Sequence, residues 1–181
     1  MENQESPFKA GLNSGLILGI ISVVLTYIIY FIDPTLLVAW YVGIGILVLY
    51  FGLIIYFGTQ YRNSIGGFMS FGTAFNFAFI AMVVSGIISM LGSLLLYQVV
   101  DPALPGVLIE SQMETQMAML ERFGAADSMT SDQIDDIRTS LEGGYTVLGQ
   151  LKAFGFLLIA YAILALILGA ILKKRDKSLD Y

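Results

Sequence analysis

The residues with the clearest chemical potential are three carboxylates, Asp132, Asp135 and Asp136, gathered in one short segment. Clustered carboxylates can share a proton or ligate a hard cation. Their spacing does not match a calcium-binding loop. Thr130-Ser131-Asp132-Gln133 carries the spacing of a helix capping box, and acids in a first turn complement the helix dipole, so these carboxylates read as a solvated helix start. The chain has no Cys and no His. Disulfides, thiol nucleophiles, imidazole acid-base catalysis, haem ligation and ordinary zinc sites are thereby excluded. Carboxylates, hydroxyls and Tyr remain, and none forms a nucleophile-base pair recognisable from spacing. No catalytic residue, cofactor or metal site is assigned. Asn13 and Asn76 are the amides set deepest in apolar sequence. Either could mark a polar site, but an amide in lipid must find an internal partner, which favours an interhelical hydrogen bond.

The elements that position these residues are dictated by charge. With 57% hydrophobic and 13% charged residues, the chain is divided into four uncharged runs, Ala10 to Ile32, Pro34 to Tyr61, Asn63 to Val100 and Ala153 to Leu172. Each can cross a hydrocarbon core of ~30 Å, which takes roughly 20 residues. The first run exceeds the roughly 7–15 apolar residues of a secretory signal and ends in Asp33-Pro34, not in a cleavage site. The third run is long enough to hide two short spans, but a fifth span would separate the basic residues. With four, Lys9, Arg62 and Lys173-Lys174-Arg175-Asp176-Lys177 share one side and the acidic stretch Asp101 to Glu142 takes the other, which makes both termini cytoplasmic by the positive-inside rule. Asn63 to Gly72 then reads as an interfacial lead-in. The net charge of −5 offers no basic footprint for nucleic acid.

The expected fold is an all-α integral membrane protein with four transmembrane helices arranged as two hairpins, spanning Gly11–Ile32, Leu36–Phe57, Thr73–Val100 and Gly149–Leu172. An acidic extracytoplasmic helical insertion separates the third span from the fourth. The organisation is residues 1–100 for three helices and a short N-terminus, 101–148 for the acidic segment, 149–172 for the fourth helix and 173–181 for a basic tail. Tyr27, Tyr30, Trp40, Tyr41, Tyr97 and Tyr145 fall near the outer ends, and Tyr56, Phe57, Tyr61, Phe68 and Phe71 near the inner ones, as two aromatic belts.

Gly11, Gly15 and Gly19 recur every fourth residue, and Ser22 and Thr26 continue the stripe. Such spacing lets helix backbones approach closely in lipid. Ala74, Ala78, Ala81, Ser85, Ser89 and Gly92 form a comparable stripe in the third span, and the second offers Ala39, Gly43, Gly45 and Gly52. Packing within the bundle is expected, with a homodimer face as the alternative. Gly19-Ile20-Ile21-Ser22 recurs as Gly86-Ile87-Ile88-Ser89, with Tyr30 and Tyr97 and then Asp33-Pro34 and Asp101-Pro102 following. Duplication of a two-helix hairpin and coincidence among apolar words both account for this.

Between Asp101 and Lys152 carboxylates outnumber basic residues nine to three. Pro102 and Pro105 predict an extended exit from the third span. Val107 to Phe123 predicts a helix with Ile109, Met113, Met117 and Leu120 on one face, and Gly124-Ala125-Ala126-Asp127 breaks it. A second helix follows, with Ile134, Ile137 and Leu141 as its apolar stripe. Met113, Met117 and Leu120 are expected to cover the outer ends of the bundle or to face a partner, since Met-rich surfaces adapt to other proteins.

Tyr61-Arg62-Asn63-Ser64-Ile65-Gly66-Gly67-Phe68-Met69-Ser70-Phe71-Gly72-Thr73-Ala74-Phe75, the Asp101-Pro102 exit and Met129-Thr130-Ser131-Asp132-Gln133-Ile134 together resemble domain-of-unknown-function family 4199, small bacterial inner-membrane proteins found mainly in Bacteroidetes. The resemblance covers nearly the whole chain. Relatives often have an Arg-Asp-Lys-like turn where this chain has only Arg62. The family supplies no activity, and its gene neighbourhoods, with glycosyltransferases that use polyprenyl-phosphate sugars, imply an accessory role. The expectation is a non-catalytic accessory or assembly subunit in the bacterial inner membrane, contacting membrane lipids and a protein partner there. An accessory or flippase-like protein for polyprenyl-linked sugars is the first alternative and a small transporter the second. The scarcity of charge within the spans weighs against the transporter.

Overall fold

The structure is a computed structural model that describes residues 5–124 and 129–175. Among the described residues six α-helices follow in order: α1 Pro7–Ile32, α2 Trp40–Ser64, α3 Phe71–Leu95, α4 Leu104–Arg122, α5 Ser131–Tyr145 and α6 Val147–Leu172. A 3-10 turn, Pro34–Val38, precedes α2, and a π-helical turn, Leu96–Val100, extends α3. Four helices, α1, α2, α3 with its extension, and α6, are long and apolar enough to cross a membrane. They are apolar on every face, and large side chains such as Phe31, Ile44, Leu91 and Phe156 stand exposed on them. In water that surface would be a liability; it is what a lipid-facing helix presents.

The starts of the helices are written locally. Ser6 accepts from the Lys9 amide at the head of α1, Ser70 from Thr73 at α3, and Thr146 from Gly149 at α6. The two Asp-Pro pairs act alike. Asp33 Oδ1 accepts from the Thr35 amide at 2.9 Å, and Asp101 Oδ1 from the Ala103 amide at 3.1 Å, each starting a helical turn. This corrects two expectations. The second span does not begin at Leu36, which belongs to the separate 3-10 turn, and Pro102-Pro105 does not impose an extended exit. Pro105 sits in the first turn of α4, where a helix needs no amide proton.

α3 is the centre of the bundle, packed chiefly on α1 and α6. α1 and α3 run parallel, as the four-span topology requires. The glycine stripe of α1 is a groove, and the aliphatic ridge of α3 fills it: a Cβ at Gly11 would lie 3.0 Å from Ile80 Cβ, at Gly15 2.7 Å from Val84 Cβ, and at Gly19 2.7 Å from Ile88 Cβ. Gly92 returns the arrangement by receiving Val23 of α1. The two small-residue stripes therefore do not meet small against small. Every-fourth-residue ridges interlock with every-fourth-residue grooves, and Ala74, Ala78 and Ala81 lie in the core with Phe77, Met82, Ala165 and Leu168.

α2 is held differently. Ile54, Gly58 and Tyr61 are its buried residues, all in the half nearest the chain ends, and Gly43, Gly45 and Gly52 face open space. The expected small-residue packing of the second span is thus absent at these three glycines. Away from its buried end, α2 is tied to α3 by a hydrogen bond between Tyr50 Oη and Ser85 Oγ.

At the bundle end carrying Pro7 and Leu172, Arg62 Nη1 donates to Leu172 O at 3.0 Å, closing the C-terminus of α6. Met69 and Lys174 exchange both backbone hydrogen bonds at 2.9 Å. At the distal end, Leu96, Leu104 and Leu108 form a second core with Tyr27, Tyr30, Leu37 and Tyr145 packed on it, so α4 caps the distal end of the bundle and rests chiefly on the 3-10 turn Pro34–Val38. α5 starts with the capping box expected from the sequence, Thr130 and Gln133 bonding reciprocally. It joins α4 through Arg138 Nη2 to Glu110 Oε2 at 3.2 Å, a pair too exposed to contribute much stability.

Candidate functional site

The helices above leave a notch on the distal half of the bundle. It has a volume of about 340 Å³ and lies between α3 and α6, with the end of α5 as its roof. Gly86, Ser89 and Ser93 recur on α3 where a larger side chain would have filled the space, and Ala153 is the small residue facing them from α6. Tyr161 closes the deep end, where its hydroxyl would lie 2.8 Å from a Cβ at Gly86. Ala153 and Leu157 are exposed along the open side.

The polar groups of the notch sit mostly towards its distal mouth. Tyr97, Tyr145 and Gln150 line it there. The Tyr97 and Tyr145 rings meet edge to face with centroids 5.2 Å apart. Gln112 Nε2 of α4 donates to Tyr145 Oη at 3.2 Å, and Gln98 Nε2 donates to the Tyr145 carbonyl at 3.2 Å. Burial pushes the Tyr145 phenol up to about 12, reinforced by neighbouring Tyr97 and opposed by the Gln112 hydrogen bond. Tyr145 is therefore neutral at physiological pH. Because its oxygen accepts from Gln112, its own proton is available to donate. Among the described residues no charged side chain lines the notch, so the chemistry of this lining is that of hydrogen bonding and apolar contact.

A second cavity, about 310 Å³, lies between α1 and α2 at the end carrying Pro7 and Leu172, lined by Glu5, Asn13, Ser14, Gln60, Tyr61 and their neighbours. Tyr61 Oη donates to the Glu5 carbonyl at 3.0 Å. Asn13 Nδ2 donates to Glu5 Oε1 at 3.0 Å, so its partner lies just ahead of its own helix and not on another span. Asn76 is exposed on α3 and makes no side-chain hydrogen bond among the described residues. Hydrogen bonds between the long helices are made instead by Tyr50 with Ser85, by Tyr27 Oη to Gly92 O at 3.4 Å and by Arg62 to Leu172 O, while Asn13 and Asn76 are exposed.

The other residues singled out by sequence are dispersed. Gly11, Gly15 and Gly19 form the α1 groove and Ala78 is in the core. Ser22 Oγ donates back to Leu18 O at 2.9 Å, Ser85 anchors Tyr50, and Ser89 lines the distal notch. Met113 is buried within the chain itself and so presents nothing to a partner, while Met117 and Leu120 are half-buried. While Val107 is 46% exposed nearer the start of α4, the most exposed large apolar groups at its far end are Met119 and the adjoining Phe123, 57% and 81% exposed. A helical face drawn from Met113 misses them, yet their four-residue spacing is visible in the sequence. Asp132 is in the first turn of α5, and no group of three acidic residues able to hold a metal occurs among the described residues.

The family described as "Protein of unknown function (DUF4199)" matches residues 13–174 of this chain. No curated protein and no solved structure matches it.

Proposed function

The chain belongs to this family of proteins of unknown function, and on that premise we propose, from its own geometry, a non-catalytic accessory or assembly protein of the bacterial inner membrane. Both termini are cytoplasmic in this reading, and α4 with α5 forms a cap outside the membrane. Lys9, Arg62, Lys173, Lys174 and Arg175 belong to the end that carries the termini, and such clustering sets orientation. Charge is scarce in the bundle, and its Ser and Thr hydroxyls at Ser22, Thr26 and Ser85 are committed to hydrogen bonds within the chain.

The observation that carries the reading is the exposed pair Met119 and Phe123 at the tip of α4. These large apolar groups lie beyond the distal core of the bundle, and burying each against a protein partner would gain about 1.5–3 kcal/mol. The test is purification in mild detergent of the parent and of a Met119→Glu, Phe123→Glu double variant. The variant is expected to melt like the parent and to lose a stoichiometric partner that the parent retains. If the parent retains no partner, or both retain the same one equally, the assembly reading fails.

A further inference from the structure

The distal notch has the dimensions and polarity of a single lipid chain. From Gly86 to Tyr97 the α3 wall covers ~16 Å at 1.5 Å per residue, about half of a ~30 Å hydrocarbon core and so the depth of one leaflet. Its volume of about 340 Å³ falls at the lower end of the roughly 300–1,000 Å³ range of ligand sites. Met90, Phe154 and Leu157 give the body of the notch an apolar wall, and Tyr97, Tyr145 and Gln150 give its mouth hydroxyl and amide groups. The exposed Ala153 and Leu157 leave the side open, so a chain can enter laterally without crossing a polar surface.

We propose that this notch holds one hydrocarbon chain of an uncharged, hydroxyl- or ester-bearing lipid of the distal leaflet, whose head group hydrogen-bonds with Tyr145 and Gln150 at the mouth. The described lining offers hydroxyl, amide and apolar groups and no cation, so an anionic head would lose hydration there without a charged partner among these residues. The small residues leave a groove open to the surroundings, and a hydrocarbon chain seated in it gains dispersion contacts with the apolar wall that a flat helix face would not offer. This inference stands on the notch alone and is separate from the partner contact at Met119 and Phe123.

Delipidated full-length protein in detergent, titrated separately with dioleoylglycerol and with dioleoylphosphatidylglycerol and read by native mass spectrometry, provides the test. Dioleoylglycerol should bind at one per chain. Ala153→Phe, which fills the open side, should weaken it at least tenfold with unchanged melting. A Tyr145→Phe, Gln150→Leu double variant should weaken it several-fold, and it remains decisive if Ala153→Phe does not fold. Phosphatidylglycerol should bind weakly and equally to all variants. Equal dioleoylglycerol binding by parent and by any well-folded variant overturns the site, and phosphatidylglycerol binding as tightly as dioleoylglycerol overturns its preference for an uncharged lipid.

Discussion

Replacing Gly15 by Ala tests the α1–α3 interface with a single methyl group. The added Cβ would lie 2.7 Å from Val84 Cβ and 2.8 Å from the Ala81 carbonyl, whereas carbon atoms in favourable contact sit ~3.5–4.0 Å apart. Neither neighbour is the end of a flexible side chain. α1 must therefore move away by most of an ångström, and the contacts at Gly11 and Gly19 on either side loosen with it. Overpacking of this kind costs about 1–3 kcal/mol. Ala is a better helix former than Gly by ~0.8–1 kcal/mol, which masks part of the loss, so the comparison is with Gly45→Ala, where the new methyl meets nothing within 4 Å. The propensity gain cancels between the two variants. At roughly 2–4 °C per kcal/mol for a chain of this size, Gly15→Ala should melt about 2–12 °C below Gly45→Ala in the same detergent. Equal melting would mean that the glycine stripe of α1 faces lipid and that α1 and α3 are not interlocked. Leu16 is the suitable neutral control for this series; Leu18, its near neighbour, is fully buried.

Three further variants probe other parts of the molecule. Tyr50→Phe should cost about 0.6–1.7 kcal/mol, the range for a hydrogen bond between membrane helices, and should raise hydrogen exchange in α2 more than in α3; uniform exchange would show that the Ser85 contact does not hold α2. Gly149→Ala would drive its Cβ into the Gly143 carbonyl, so it should unseat the α5–α6 corner and expose Tyr145 to alkaline titration nearer its ordinary value of 10.0, an outcome read by ultraviolet difference spectra and contradicted by an unchanged titration. Met113→Glu places a carboxylate at a position 6% exposed and should cost several kcal/mol in melting experiments, while Glu114→Gln, on an exposed position, should change little; the opposite ranking would mean that α4 does not dock on the bundle.

What the sequence made legible was whatever depends on residues near one another along the chain. Four uncharged runs marked the long apolar helices, Thr130 and Gln133 marked a helix start, and the Gly11, Gly15 and Gly19 spacing marked a packing face. The less legible features depend on which helices become neighbours. Gly43, Gly45 and Gly52 have the same small side chains as the α1 stripe, yet α2 leaves them uncovered; spacing cannot tell a groove that will be filled from one that will not. Ser89 belongs to a stripe that reads as helix packing and instead lines a notch, because the opposing position on α6 is the small Ala153. Tyr50 carried no local signal for its bond to Ser85, thirty-five residues away. Pro105 misled because a helix breaker in mid-helix is a helix starter in the first turn.

The central claim, a membrane bundle with its termini on one side and its α4–α5 cap on the other, is tested most directly by single-cysteine labelling, since the chain contains no native Cys. In intact cells with a permeable outer envelope, an impermeant thiol reagent should label Asp132→Cys and should reach Arg175→Cys only after the inner membrane is broken. Labelling of both positions before lysis, or of Arg175→Cys alone, would contradict the account.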